Sequence, residues 1–89
     1  MELNVAATVR IMPTGIDVNL ETIQKSVEKI ASKYGKLNSA EVKPIAFGLK
    51  ALEVMLLLND KVGGMEEIEA QIAKIKGVNS VETLEATRL

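Results

Sequence analysis

Histidine and cysteine are both absent from this 89-residue chain, and the chemistry they carry goes with them. Without cysteine there is no disulfide framework, zinc ribbon or thiol nucleophile. Without histidine the commonest general base and metal ligand is gone. Tryptophan is missing too, and aromatic residues amount to 2% of the chain, one tyrosine and one phenylalanine. The core must therefore come from the Val, Ile, Leu, Met and Ala that make up most of a 47% hydrophobic fraction. No apolar run approaches the roughly 18 residues that a membrane span needs, and no charged-then-apolar leader occurs. A soluble, cytoplasmic chain with no membrane partner is expected. A formal net charge of −1 lacks the basic excess of a general nucleic-acid binder.

Eighty-nine residues suit one domain spanning 1–89, because a core this small cannot be divided and stay stable. Such a domain buries only about 60–65% of its unfolded surface, too little to enclose a deep substrate cavity. Val5, Ala7, Val9 and Ile11 alternate with Ala6, Thr8, Arg10 and Met12, the period of two of a strand with one apolar face. Pro13-Thr14-Gly15 ends it, and Asp17 or Asn19 can cap a following helix by accepting an orphan N–H. Leu20, Ile23, Val27, Ile30, Ala31 and Tyr34 recur three or four apart. That spacing predicts an amphipathic helix of about four turns, with Gly35 as its left-handed stop.

Residues 36–43 read as an edge strand whose Lys36, Glu41 and Lys43 resist pairing with other chains. Pro44 should end it, having no N–H for a ladder. After a turn at Phe47-Gly48, Leu49–Leu58 is apolar on both faces and reads as a central strand. Asn59–Gly64 is a loop, and Met65, Ile68, Ile72 and Ile75 restore helical spacing up to a stop at Gly77. Val78–Leu89 is the last strand, where Val81 and Leu84 break the alternation. A bulge or a late strand start near Ser80 accounts for that break.

Strand, helix, strand, strand, helix, strand makes two split β-α-β units with right-handed crossovers. The predicted fold is a ferredoxin-like α/β (α+β) sandwich. It has a four-stranded antiparallel sheet, the first and third strands central, and both helices on one face. The open face would carry Ala6, Thr8, Arg10, Glu53 and Met55, with Arg10 and Glu53 paired as an ordinary surface contact.

This fold hosts many functions, so activity must be read from sites. A heavy-metal carrier needs paired cysteines in a first loop that here reads Met12-Pro13-Thr14-Gly15. An RNA-recognition module needs stacking aromatics on its central strands, which offer Ala6, Thr8, Arg10 and Met55 instead. Gly63-Gly64 is too short to cradle phosphates. Glu66, Glu67 and Glu69 suit the dipole at a helix start and lack the converging partner a metal cluster needs. No catalytic constellation is present, so an enzyme is not expected, and neither is a metal or cofactor.

One stretch stands out, Lys43–Leu58, where the only phenylalanine sits in a Pro-Ile-Ala-Phe-Gly loop directly before the most apolar strand. An aromatic on a loop tip either folds back, over Leu37 or Val78, or is offered to a partner. Four segments then matter together: Val9-Arg10-Ile11-Met12-Pro13, Pro44-Ile45-Ala46-Phe47-Gly48-Leu49, Gly77-Val78-Asn79-Ser80-Val81-Glu82 and the final Arg88-Leu89. Across essentially its whole length the chain resembles the archaeal translation elongation factor 1-beta family, a guanine-nucleotide exchange factor. The Ile-Ala-Phe-Gly-Leu block is the specific part, whereas Gly-Val-x-x-Val-Glu is common to many domains of this fold.

The resemblance implies a non-enzymatic factor that speeds GDP release from elongation factor 1-alpha, the GTPase that delivers aminoacyl-tRNA. It implies that Phe47, flanked by Ile45 and Gly48, enters a pocket on the second domain of that GTPase. The acceptor end of tRNA would otherwise bind there. It also implies that Arg88, standing before Leu89 where the family carries a lysine, reaches the magnesium and nucleotide site of the first domain. No direct nucleic-acid contact is expected, the free protein should be a monomer, and any scaffold role of the eukaryotic N-terminal region should be missing.

Topology bears on this reading independently. The Phe47 turn and the last strand's end lie at opposite ends of the sheet, separated by roughly 30 Å for a strand of about ten residues. Phe47 and Arg88 therefore cannot share one pocket, but can act as two grips on a larger partner. Two competing readings are a ligand-sensing module that pairs edge strands and a structural adaptor. The charged second strand and the lack of a polar pocket motif oppose the ligand sensor.

Overall fold

The computed structural model describes residues 3–59 and 65–89. Its order is β1 (Val5–Pro13), α1 (Leu20–Ala31), β2 (Gly35–Ala46), β3 (Leu49–Leu58), α2 (Met65–Ala73) and β4 (Val78–Arg88). The strands form one antiparallel sheet in the order β2-β3-β1-β4, so β1 and β3 are central. This is the ferredoxin-like arrangement that the sequence pattern predicts. The loop expected over Asn59–Gly64, with its Gly63-Gly64 pair, lies beyond Asn59 outside the described residues.

The period of two in β1 buries Ala7, Val9 and Ile11, and β3 adds Leu52, Val54, Leu56 and Leu58 on the same side. Ile23, Val27 and Ala31 of α1 and Ile68 and Ile72 of α2 close over that face. Each large side chain fully buried there contributes about 1.5–3 kcal/mol against the ordering entropy of the chain. Asn19, not Asp17, caps α1: its Oδ1 accepts from the amides of Glu21 at 2.9 Å and Thr22 at 3.4 Å. On the open face the register sets Arg10 opposite both Glu53 and Glu82. Its guanidinium lies 3.7 Å from Glu53 and 4.0 Å from Glu82, contacts that contribute at most about 1 kcal/mol at such exposure.

Three element boundaries differ from expectation. Helix α1 ends at Ala31 with Ser32 as a right-handed C-cap, so Tyr34 lies beyond it and Gly35 opens β2. Gly35 is thus no left-handed stop. A Cβ there would overlap the carbonyl oxygen of Leu57, and glycine is what lets the two backbones approach. Strand β2 runs through Pro44 to Ala46. It is an edge strand, half of whose N–H groups lie outside any ladder, which is where proline fits. Helix α2 stops at Ala73, and tighter turns carry the chain past Ile75 to Gly77 at φ 96°.

The irregularity expected in the last strand is a bulge rather than a late start. Register shifts in the β1–β4 pairing leave Leu84 and Asn79 as extra residues on β4, which already begins at Val78. At one end of the sheet the Thr14 amide donates to the Gly77 carbonyl at 2.8 Å. At the other, the Asn4 amide donates to the Leu58 carbonyl at 2.9 Å. The longest dimension of the molecule is 39 Å.

Candidate functional site

Ala46 pairs with Leu49, which leaves Phe47 and Gly48 as a two-residue turn between β2 and β3. Their φ angles are 54° and 82°. Positive φ at both central residues is the requirement of a type I′ hairpin, whose twist matches that of the strands. Glycine meets it freely. Phe47 does not, because crowding of Cβ against the backbone in the left-handed region costs about 1–2 kcal/mol. Among the described residues it is the only non-glycine at positive φ, and its side chain is 102% exposed. The ring folds over neither Leu37 nor Val78 and points into solvent. The loop is shorter than the sequence implied, since Pro44, Ile45 and Ala46 belong to β2. Ile45 is the extra residue at a register shift and is exposed.

Two residues that sequence reasoning passed over stand beside this tip. Ile16, in the β1–α1 connection, is 71% exposed, and its Cγ2 lies 3.9 Å from where a Cβ on Gly48 would sit. Val42 on β2 is also exposed. Between the connection and the hairpin lies a hollow of about 400 Å³ walled by Pro13, Ile16, Val18, Leu20, Val42 and Gly48. Gly15, Asn19, Glu21 and Lys50 complete its lining, the last two with one charge of each sign. The overlooked signal was a β-branched residue stranded between Gly15 and Asp17, in neither periodic run.

Arg88 lies at the far end. It pairs with Val5, which pairs in turn with Leu58. Directly opposed residues share a sheet face, so Arg88 stands on the helix side with Val5, which packs against the core. The Leu89 amide donates to the Asn4 carbonyl at 2.8 Å, so the backbone here is tied into the sheet rather than frayed. Both side chains are exposed. The structure brings Ile45, Phe47 and Gly48 together at one end and Arg88 and Leu89 at the other, and does not join the two groups.

Two of the three carboxylates of α2, Glu67 and Glu69, have structural partners. Glu69 accepts from the Thr83 hydroxyl, and Glu67 accepts from the Tyr34 hydroxyl at 3.4 Å, which itself accepts from Gln71 at 2.6 Å. Among the described residues no cluster of three or more acidic side chains is placed to hold a metal ion. No described helix is long and apolar enough to cross a membrane.

The chain is thus a small antiparallel sandwich with a strained aromatic at one pole and a basic strand end at the other. Residues 6–89 match the EF-1 guanine nucleotide exchange domain. The chain is 41% identical over 87 residues to Elongation factor 1-beta of Methanosarcina mazei, covering 97% of this chain and 98% of that protein. It is 39% identical over 84 residues to Elongation factor 1-beta of Methanococcoides burtonii, covering 94% of each. For Elongation factor 1-beta of Methanothermobacter thermautotrophicus the identity is 37% over 86 residues, 97% of each chain. The chain belongs to the EF-1 guanine nucleotide exchange domain family, as the resemblance in its sequence implied.

Proposed function

We propose that residues 1–89 act as one domain that promotes GDP release from elongation factor 1-alpha, with Phe47 and Arg88 as its two contacts. The carrying observation is the Phe47 tip: a fully exposed aromatic kept on strained backbone, where Asn or Gly would be at ease. Aromatics are over-represented among residues that dominate binding energy, and a rigid turn presents the ring at low entropic cost. Family resemblance supplies the destination, a pocket on the second domain of the GTPase. In this reading Arg88, at the other end of a molecule 39 Å long, reaches the magnesium and nucleotide site of the first domain, as the family resemblance implies.

Exchange of this kind breaks no covalent bond. It is a coupling free energy, in which factor and nucleotide weaken each other's binding by the same ratio. The magnesium ion bound with the nucleotide carries much of the charge that retains GDP, so a cation displacing it loosens the phosphates. A thousandfold acceleration requires about 4 kcal/mol of barrier reduction. The factor acts as a cytoplasmic monomer with no cofactor and no direct contact with nucleic acid. The test is release of a fluorescent GDP from the GTPase on adding substoichiometric protein. Acceleration is expected, and an unchanged rate would remove this reading.

A further inference from the structure

Among the described residues, four of the seven exposed large hydrophobic side chains, Ile16, Val42, Ile45 and Phe47, gather at the hairpin end of the molecule. They come from two separate chain segments. The hollow of about 400 Å³ lies between those segments, and Gly48, the neighbour of Phe47, forms part of its wall. A body that covers Phe47 from the tip therefore also covers Ile16 and the mouth of this hollow.

Area decides whether that cover is needed. One aromatic side chain supplies about 150–250 Å², whereas a stable protein interface buries about 800 Å² on each partner. Even if the two ends of the molecule share the load, Phe47 alone falls short at its end. The surface available next to it is the apolar one. The lining of the hollow also indicates what it receives. Lys50 and Glu21 cancel in charge, so it offers no preference for a phosphate or nucleotide. The apolar side chains of Pro13, Ile16, Val18, Leu20 and Val42 share the lining about equally with polar groups, and that mixture is what a protein interface carries.

We infer that the hairpin end is a two-loop docking surface. Phe47 enters the GTPase while the hollow beside Ile16 and Val42 receives an apolar side chain of the same GTPase. This inference rests on the proposed exchange function. Its experiment measures affinity for the nucleotide-free GTPase with Ile16→Asp, Val42→Asp and Phe47→Ala, and with Leu84→Ser, remote from the hairpin, as a control. Ile16→Asp and Val42→Asp should each weaken binding by about fivefold or more with unchanged melting, while Leu84→Ser binds as the native chain does. If Phe47→Ala binds weakly but both Asp variants bind normally, the two-loop surface is overturned and Phe47 remains a lone anchor. If Phe47→Ala also binds normally, the assignment of Phe47 as a GTPase contact fails as well. The chain has no cysteine, so Ile16→Cys and Leu84→Cys each take a single environment-sensitive fluorophore, which decides the matter should the Asp variants fold poorly. A blue shift on GTPase binding at position 16 and none at position 84 supports the inference. An unchanged spectrum at position 16 contradicts it.

Discussion

At Phe47 the side chain and the backbone have opposite preferences, and substitutions can separate them. Phe47→Ala removes the ring but keeps a Cβ at φ 54°, so the strain remains and the fold should be little affected. Affinity for the GTPase should fall roughly 30-fold, the loss expected of an aromatic worth about 2 kcal/mol. Phe47→Asn should bind as weakly yet fold more stably by about 0.5–1 kcal/mol, because Asn tolerates the left-handed region. Denaturant midpoints of the three proteins measure this directly, and equal midpoints would show that the turn stores no strain. Arg88 separates rate from affinity instead. Arg88→Ala should still bind nucleotide-free GTPase through the distant Phe47 end but release GDP slowly. Arg88→Lys should retain most activity if charge alone is required.

Among the elements, β3 carries the core. Leu56 is fully buried in the core on the helix side of the sheet, so Leu56→Ala should cost about 2–5 kcal/mol in a urea titration. The apolar strand, both amphipathic helices and the order of six elements were legible because periodicity in a short chain leaves few alternative faces to bury. Boundaries were less so. Pro44 reads as a strand end until its strand is known to be an edge, and that depends on pairing between residues far apart in sequence. Gly35 reads as a helix stop until β3 is placed against it. Gly35→Ala should accordingly destabilise the fold through overlap with Leu57 rather than by altering the end of α1, which circular dichroism would show as lost stability without lost helix in the native state. Phe47 was recognisable because a lone aromatic in a turn has no local purpose. Ile16 was not, because its partner across the hollow is a hairpin some 30 residues away.

The whole molecule is a sheet with two guarded edges and two exposed poles. Strand β2 carries Lys36, Glu41, Lys43 and Pro44, and both edge strands are interrupted by register shifts, devices that discourage pairing with another chain. Sedimentation should accordingly give the mass of one chain. In the proposed function recognition falls to the poles, which the sheet holds a fixed distance apart. Exchange by this route requires both contacts to act from the same molecule, since a grip on one domain has force on the other only through a rigid link. The most direct measurement is the rate of fluorescent GDP release from the GTPase with native protein, with Phe47→Ala, with Arg88→Ala, and with an equimolar mixture of the two variants. Native protein should accelerate release strongly, and the mixture should do no better than the sum of its crippled components. A mixture that restores the native rate would show that the two poles need not share one body, and a native protein that leaves the rate unchanged would contradict the exchange function itself.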